Sequence, residues 1–113
     1  MKKFLAVYMG SVPSKEKSAT SISMETRQQG MQAWGQWMQQ NAASIVDQGG
    51  PLGKTKKASP QGVSDTVNQM TGYVIFQAES HQAAAAMFQN HPHFSIFPGD
   101  CVEIMECLDM PGM

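Results

Sequence analysis

The sequence predicts a single α+β domain of ferredoxin-like type, with the order strand, helix, strand, strand, helix, strand over residues 1–113. Three observations predict it. Two short runs, Phe4–Met9 and Tyr73–Ala78, are apolar on both alternating faces. A long polar-apolar stretch, Met24 to Ile45, repeats at helical spacing. A last alternating segment, Cys101–Leu108, follows a short alanine-rich helix.

Taken in order, the first strand is Lys3–Met9, with Phe4, Ala6 and Tyr8 on one face and Leu5, Val7 and Met9 on the other. The polar stretch "SVPSKEKSATSIS" has neither period and reads as a loop, with a lid as its functional alternative. Ser21 or Ser23 caps the helix, and Glu25 suits its first turn. Met24, Met31, Trp34, Met38, Ala42 and Ile45 follow at intervals of seven, three, four, four and three, one helical stripe that Trp37 widens. Gly30 and Gly35 lower helix propensity but permit close packing. "DQGGPLG" ends the helix, because its glycines suit a terminal turn and Pro51 cannot continue it.

"LGKTKKAS" is a polar strand whose lysines at 54, 56 and 57 guard a sheet edge, an anion site being the alternative. The turn-rich "PQGVSDTVNQMTG" leads to the second central strand, Tyr73–Glu79. Ser80 caps "HQAAAAMFQN", with Ala84, Met87 and Phe88 facing inward. Two helices cover one sheet face only, so central strands apolar on both faces predict a homodimer packed through the open face.

Composition narrows the classes. The chain is 42% hydrophobic and 15% charged with a net charge of -1, which describes a globular domain without the basic footprint of a nucleic-acid binder. No run approaches the ~20 apolar residues of a membrane span, and "MKKFLAVYMG" is too short in its apolar part for a leader, so a cytoplasmic location is expected. Cys101 and Cys107, six residues apart in extended chain, stand about 20 Å apart and are expected as free thiols.

Candidate chemistry centres on "NHPHFSIFPGDCVEIMEC". Pro92 holds His91 extended, and His91 and His93 can project one way as an acid-base pair. Two histidines fall one short of the usual catalytic zinc set, so no metal is expected; the plainer reading is a turn whose rings pack at the surface. Asp47 is either a polar residue bonding the glycine turn or a general base at the mouth of a cleft. Tyr8, Ser11 and Tyr73 are candidates for orienting a polar ligand, and the Trp34 and Trp37 pair reads as core or cleft wall, with Trp34 counted among the ligand-binding candidates. The ten methionines fill cores and interfaces, copper(I) being the functional alternative for those near the C-terminus. No phosphate loop, nucleophile elbow or dinucleotide fingerprint occurs, and no cofactor is expected.

"KKFLAVYMG", "AWGQWMQQ", "VDQGGPLG", "GYVIFQAES" and "HPHFSIFPGDCVEIMEC" together, in this order and spacing, resemble the YCII-related proteins, especially their longer DGPF-type branch. The resemblance implies a dimeric α+β barrel of ferredoxin-like halves and lyase-like, dehydrochlorinase-like acid-base chemistry on a small organic compound. In the shorter branch a helix histidine and a following aspartate form the proposed catalytic pair. Asp47 matches that aspartate, but "METRQQGMQAWGQWMQQNAASIVD" contains no histidine, and "SDTVNQMTGY" lacks the Asp-Gly-Pro-Phe signature. His91 or His93 is then the expected proton partner of Asp47. The alternative is a non-catalytic ligand-binding or interaction module.

Overall fold

A computed structural model describes residues 1–10 and 23–111. Ser11 and the stretch read as a loop or lid lie outside the described residues, except for Ser23 at its end. The main sheet has four antiparallel strands in the order β2-β5-β1-β6, comprising β1 (Lys2–Met9), β2 (Ile45–Pro51), β5 (Met70–Ala78) and β6 (Cys101–Glu106). With α1 (Met24–Gln40), α2 (His81–Ala86) and the single turn α3 (Pro92–Ser95) on one face, this is the ferredoxin-like arrangement that the sequence predicts.

β1 and β5 are the central strands, as their two-sided apolar pattern requires. Direct cross-strand partners share a face, so the rows Phe76–Phe4 and Val74–Ala6 look toward the helices. There they meet Trp37, Ala84 and Phe88 in the core, with Val102 and Ile104 of β6 packed beside them. The indole of Trp37 donates to the Met87 carbonyl at 3.0 Å, so its polar atom is satisfied within that core.

Three details differ from the sequence reading. The helical stripe does not reach Ile45: α1 ends at Gln40, where the Asn41 side chain donates to the Trp37 carbonyl at 2.8 Å and satisfies the helix end. A short 3-10 turn, Ala42–Ser44, then delivers β-branched Ile45 and Val46 into β2, and Ile45 packs on the core as a strand residue. "VDQGGP" is therefore edge strand, interrupted by irregular pairing around Asp47, and not a helix stop. Gly49 sits there at φ +63, where a Cβ would collide with the Tyr73 carbonyl.

The lysine-bearing segment is likewise not the edge of the main sheet. β3 (Thr55–Ser59) pairs with β4 (Gly62–Thr66), which lies inside the stretch read as turn, in a separate two-stranded hairpin. Pro60 presets the turn and Gly62 takes φ +114, the positive value that a tight hairpin with one extra twist needs. Lys56 pairs with Asp65 across the hairpin at 2.6 Å.

Candidate functional site

One end of the helix-facing sheet surface is left open by sequence. Tyr8 is flanked across the sheet by Gly72, which has no side chain, and by Val102. Here the pairing slips: Tyr8 faces Gly72 but Met9 faces Met70, leaving Thr71 as the extra residue of a bulge. The Thr71 hydroxyl donates to the Tyr8 carbonyl at 2.9 Å and so compensates the broken ladder.

A cavity of about 470 Å³ opens at that point. Tyr8, Thr71, Gly72 and Tyr73 come from the central strands, and Gln48, Gly50 and Pro51 from the irregular edge strand. Met31, Trp34 and Gly35 line it from α1, and His93 and Phe97 from the segment around α3. Among the described residues, no Asp, Glu, Lys or Arg lines it. The space is small, walled by flat rings and uncharged, which suits a flat and largely apolar ligand with a few polar groups.

The two histidines are buried, His91 completely and His93 to within 6% of its surface, so the reading of rings packed at the surface is corrected. Pro92 explains His91: it holds the residue at φ -59, ψ 143 and starts α3, leaving the His91 ring to cap that turn. Its Nδ1 accepts from the His93 backbone N–H at 3.0 Å, and its Nε2 lies 3.4 Å from the Tyr8 hydroxyl. Tyr8, Trp34, Trp37 and Phe88 surround the ring, with centroids 5.1, 4.6, 4.7 and 5.6 Å away. Removal from water, with a smaller contribution from His93, pushes its pKa down to about 4.

His93 is fixed from two sides. Its Nε2–H donates to the Met9 carbonyl at 2.7 Å, and its own carbonyl accepts from Gly99 N–H at 2.9 Å. Gly99 packs closely against His93, where any Cβ would overlap both the imidazole and the His93 carbonyl. Burial also lowers the His93 pKa, opposed by the Met9 carbonyl, the Asp100 charge and the Cys101 main chain. Both histidines are therefore neutral near pH 7. Burial raises the Tyr8 pKa well above its usual value, so its hydroxyl keeps its proton.

Of the residues singled out from sequence, Tyr8, Trp34, Tyr73 and His93 share the cavity. His91 stands behind Tyr8 and Trp34. Asp47 does not join them. Its partner across the strands is Ile75, whose own partner is Leu5, a row on the face turned away from the helices. Its carboxylate is exposed and accepts from Gly49 N–H at 2.8 Å, the turn-bonding role. Among the described residues no hydrogen bond or ion pair joins Asp47 to a histidine. Gly35, Gly72, Gly99 and Phe97 shape the site without having been predicted for it. Glycine and phenylalanine carry no chemical signature in sequence, and only the packing gives them a role.

Comparison with known proteins supports the fold. No family model matches the chain, and no curated protein matches it. A solved structure does. The chain resembles 5-chloro-2-hydroxyhydroquinone dehydrochlorinase from Burkholderia phenoliruptrix, solved in complex with 2,5-dihydroxybenzoquinone, at a TM-score of 0.54 and 19% identity. The match covers 91% of this chain and 90% of that one, so the whole ferredoxin-like unit is shared. Among the described residues no group of three or more His, Cys, Asp or Glu is placed to hold a metal ion, and no helix is long and apolar enough to cross a membrane.

Proposed function

We propose that this protein binds a small, flat organic compound in the cavity beside Tyr8 and acts on it by lyase-like proton transfer, as a relative of the YCII-related proteins. The observation that carries the reading is a cavity of about 470 Å³, without a charged side chain among the described residues that line it, and with one neutral imidazole, His93, in its wall. A neutral imidazole with a lowered pKa is a base ready at pH 7. Because His93 Nε2–H is committed to the Met9 carbonyl, Nδ1 carries its lone pair. In an elimination, Nδ1 takes the proton, the leaving group departs with its bonding pair, and the substrate gains a double bond. His93 replaces Asp47 as the base in this reading, because Asp47 lies outside the cavity wall.

The dehydrochlorinase that shares the fold suggests the substrate for a first test. The purified chain is incubated with 5-chloro-2-hydroxyhydroquinone while released chloride and quinone absorbance are followed, beside His93→Gln and Asp47→Asn. The expected result is chloride release by the parent and by Asp47→Asn, and loss of at least about a hundredfold in folded His93→Gln. Unchanged release in His93→Gln removes His93 as the base. A parent that binds the compound without turnover leaves the non-catalytic ligand-binding module.

We also propose that the protein is a homodimer joined through the open face of the sheet. The support is a row of Ile75, Leu5 and Met105 across three strands on the side that neither α1 nor α2 covers.

A further inference from the structure

The hydrogen bonds around His91 fix more than its position. Its Nδ1 accepts the His93 backbone N–H, and a backbone amide can only donate. Nδ1 must then carry the lone pair, and a neutral imidazole has its one proton on the other nitrogen. The ring is fully buried among aromatic side chains, and among the described residues no carboxylate lies against it to hold a second proton. His91 Nε2–H accordingly donates to the Tyr8 oxygen, over a long 3.4 Å, and that oxygen is the acceptor of the pair. The direction of the bond follows from the helix cap two residues away.

The consequence falls on Tyr8. A hydroxyl that accepts from His91 must aim its own proton elsewhere. Among the described residues the Tyr8 hydroxyl has no other hydrogen-bond partner. Its remaining neighbours, Trp34 and Phe88, offer ring faces and edges, His93 Nε2 is already spent on Met9, and no hydrogen bond joins the Tyr8 hydroxyl to His93 Nδ1. Tyr8 also lines the cavity. We propose that Tyr8 is the polar anchor of the cavity, a hydroxyl held as an obligate donor by the Nε2–H tautomer of His91, so that the site selects flat ligands bearing an acceptor oxygen at that point. His91 is a positioning residue in this scheme and touches no ligand.

The inference rests on the cavity being the ligand site, and it goes beyond that reading by assigning donor and acceptor. It predicts discrimination between ligands of one shape. A carbonyl, ether or phenolate oxygen meets a donor. A hydrocarbon edge laid against Tyr8 displaces water there and leaves the hydroxyl proton without a partner, which costs affinity.

The test has two arms on the full chain. In the first, ring-nitrogen NMR of the nitrogen-15-labelled parent at pH 7 reads the His91 tautomer. A protonated Nε2 with a bare Nδ1 is expected, and a protonated Nδ1 overturns the proposal with no ligand involved. In the second, acetophenone and ethylbenzene, alike in shape but only one with an acceptor oxygen, are titrated against the parent and Tyr8→Phe, following the Trp34 indole resonance. Acetophenone is expected to bind the parent more tightly than ethylbenzene, and Tyr8→Phe to weaken acetophenone by roughly threefold to tenfold while ethylbenzene is unchanged. Equal losses for both probes, with the tautomer as expected, overturn the donor assignment and leave the cavity as a binding site. If neither probe moves the Trp34 signal, the cavity is not a ligand site and the proposed function falls with the inference.

Discussion

At the scale of single residues, His91 ties stability to pH. Its pKa is about 4 in the folded chain against 6.5 for an ordinary histidine, chiefly through desolvation. The unfolded chain takes up this proton as the pH falls through 6.5, while the folded chain resists until about 4. The His91 contribution is therefore complete above pH 6.5 and is lost progressively from there down to pH 4, up to roughly 3 kcal/mol in all. His93 shifts in the same direction and adds to the loss. Urea unfolding at pH 7 and pH 4.5 is expected to show a marked fall in the midpoint. His91→Asn keeps a capping side chain and is expected to show a smaller fall; an undiminished one would place the titrating group elsewhere. Little of this was legible in sequence. "HPH" announced an extended residue before a proline, yet the same pattern serves a surface turn equally well. What buries the rings is Trp34 and Trp37 arriving from a helix more than fifty residues away. Asp47 is obscure in sequence for the complementary reason: a helical stripe that continues to Ile45 suggests a helix end there, while pairing with β5 makes the segment a strand and turns Asp47 to the other face.

At the scale of elements, α1 carries two glycines with opposite environments. A Cβ on Gly30 would collide with the Phe97 ring, whereas one on Gly35 would meet nothing within 4 Å. Gly30 is thus a packing requirement, and Gly35 is not. Gly35 lowers helix stability by about 1 kcal/mol relative to alanine and faces the cavity, so its value lies in the space it leaves. Gly35→Ala is expected to raise the thermal midpoint by a few degrees, and Gly35→Leu to keep the fold while blocking acetophenone, both measurable by calorimetry and NMR titration. A destabilised Gly35→Ala would mean that this helix has no room there. Gly30→Ala is expected to destabilise and to displace Phe97 from the cavity wall. The β3–β4 hairpin is two-stranded and largely exposed, so its amides are expected to exchange with deuterium orders of magnitude faster than those of β1 and β5. The two central strands followed from the sequence because β1 and β5 are apolar on both faces, a pattern that central strands show. β2 and β4 did not, since "VDQGGP" and "GVSDT" are rich in turn residues and gain their strand geometry from pairing.

At the scale of the whole molecule, the two faces of the sheet are unequal. The helix side buries Phe4, Ala6, Val74 and Phe76 completely. On the far side Leu5 and Ile75 are half-buried and Met105 is 42% exposed, although they stand in one row with Asp47 at its end. Val7 and Tyr73 extend the apolar strip along the two central strands, in a row that ends on the exposed Glu103 of β6. A second copy related by a two-fold axis would lay the same strip on itself, the self-complementary geometry that a homodimer uses. Such a joint buries apolar surface at about 25 cal/mol per Å², and a charge in the middle of it would be left without water or partner. Light scattering at micromolar concentration is expected to give twice the chain mass of 12.3 kDa. Leu5→Glu and Ile75→Glu together are expected to give one chain mass with the circular dichroism spectrum retained, because neither side chain enters the helix-facing core. The cavity lies on the helix side, so acetophenone binding should survive in that monomer. Loss of binding together with the dimer would show that the partner copy shapes the site, and a parent monomeric at micromolar concentration would rule out the face-to-face assembly.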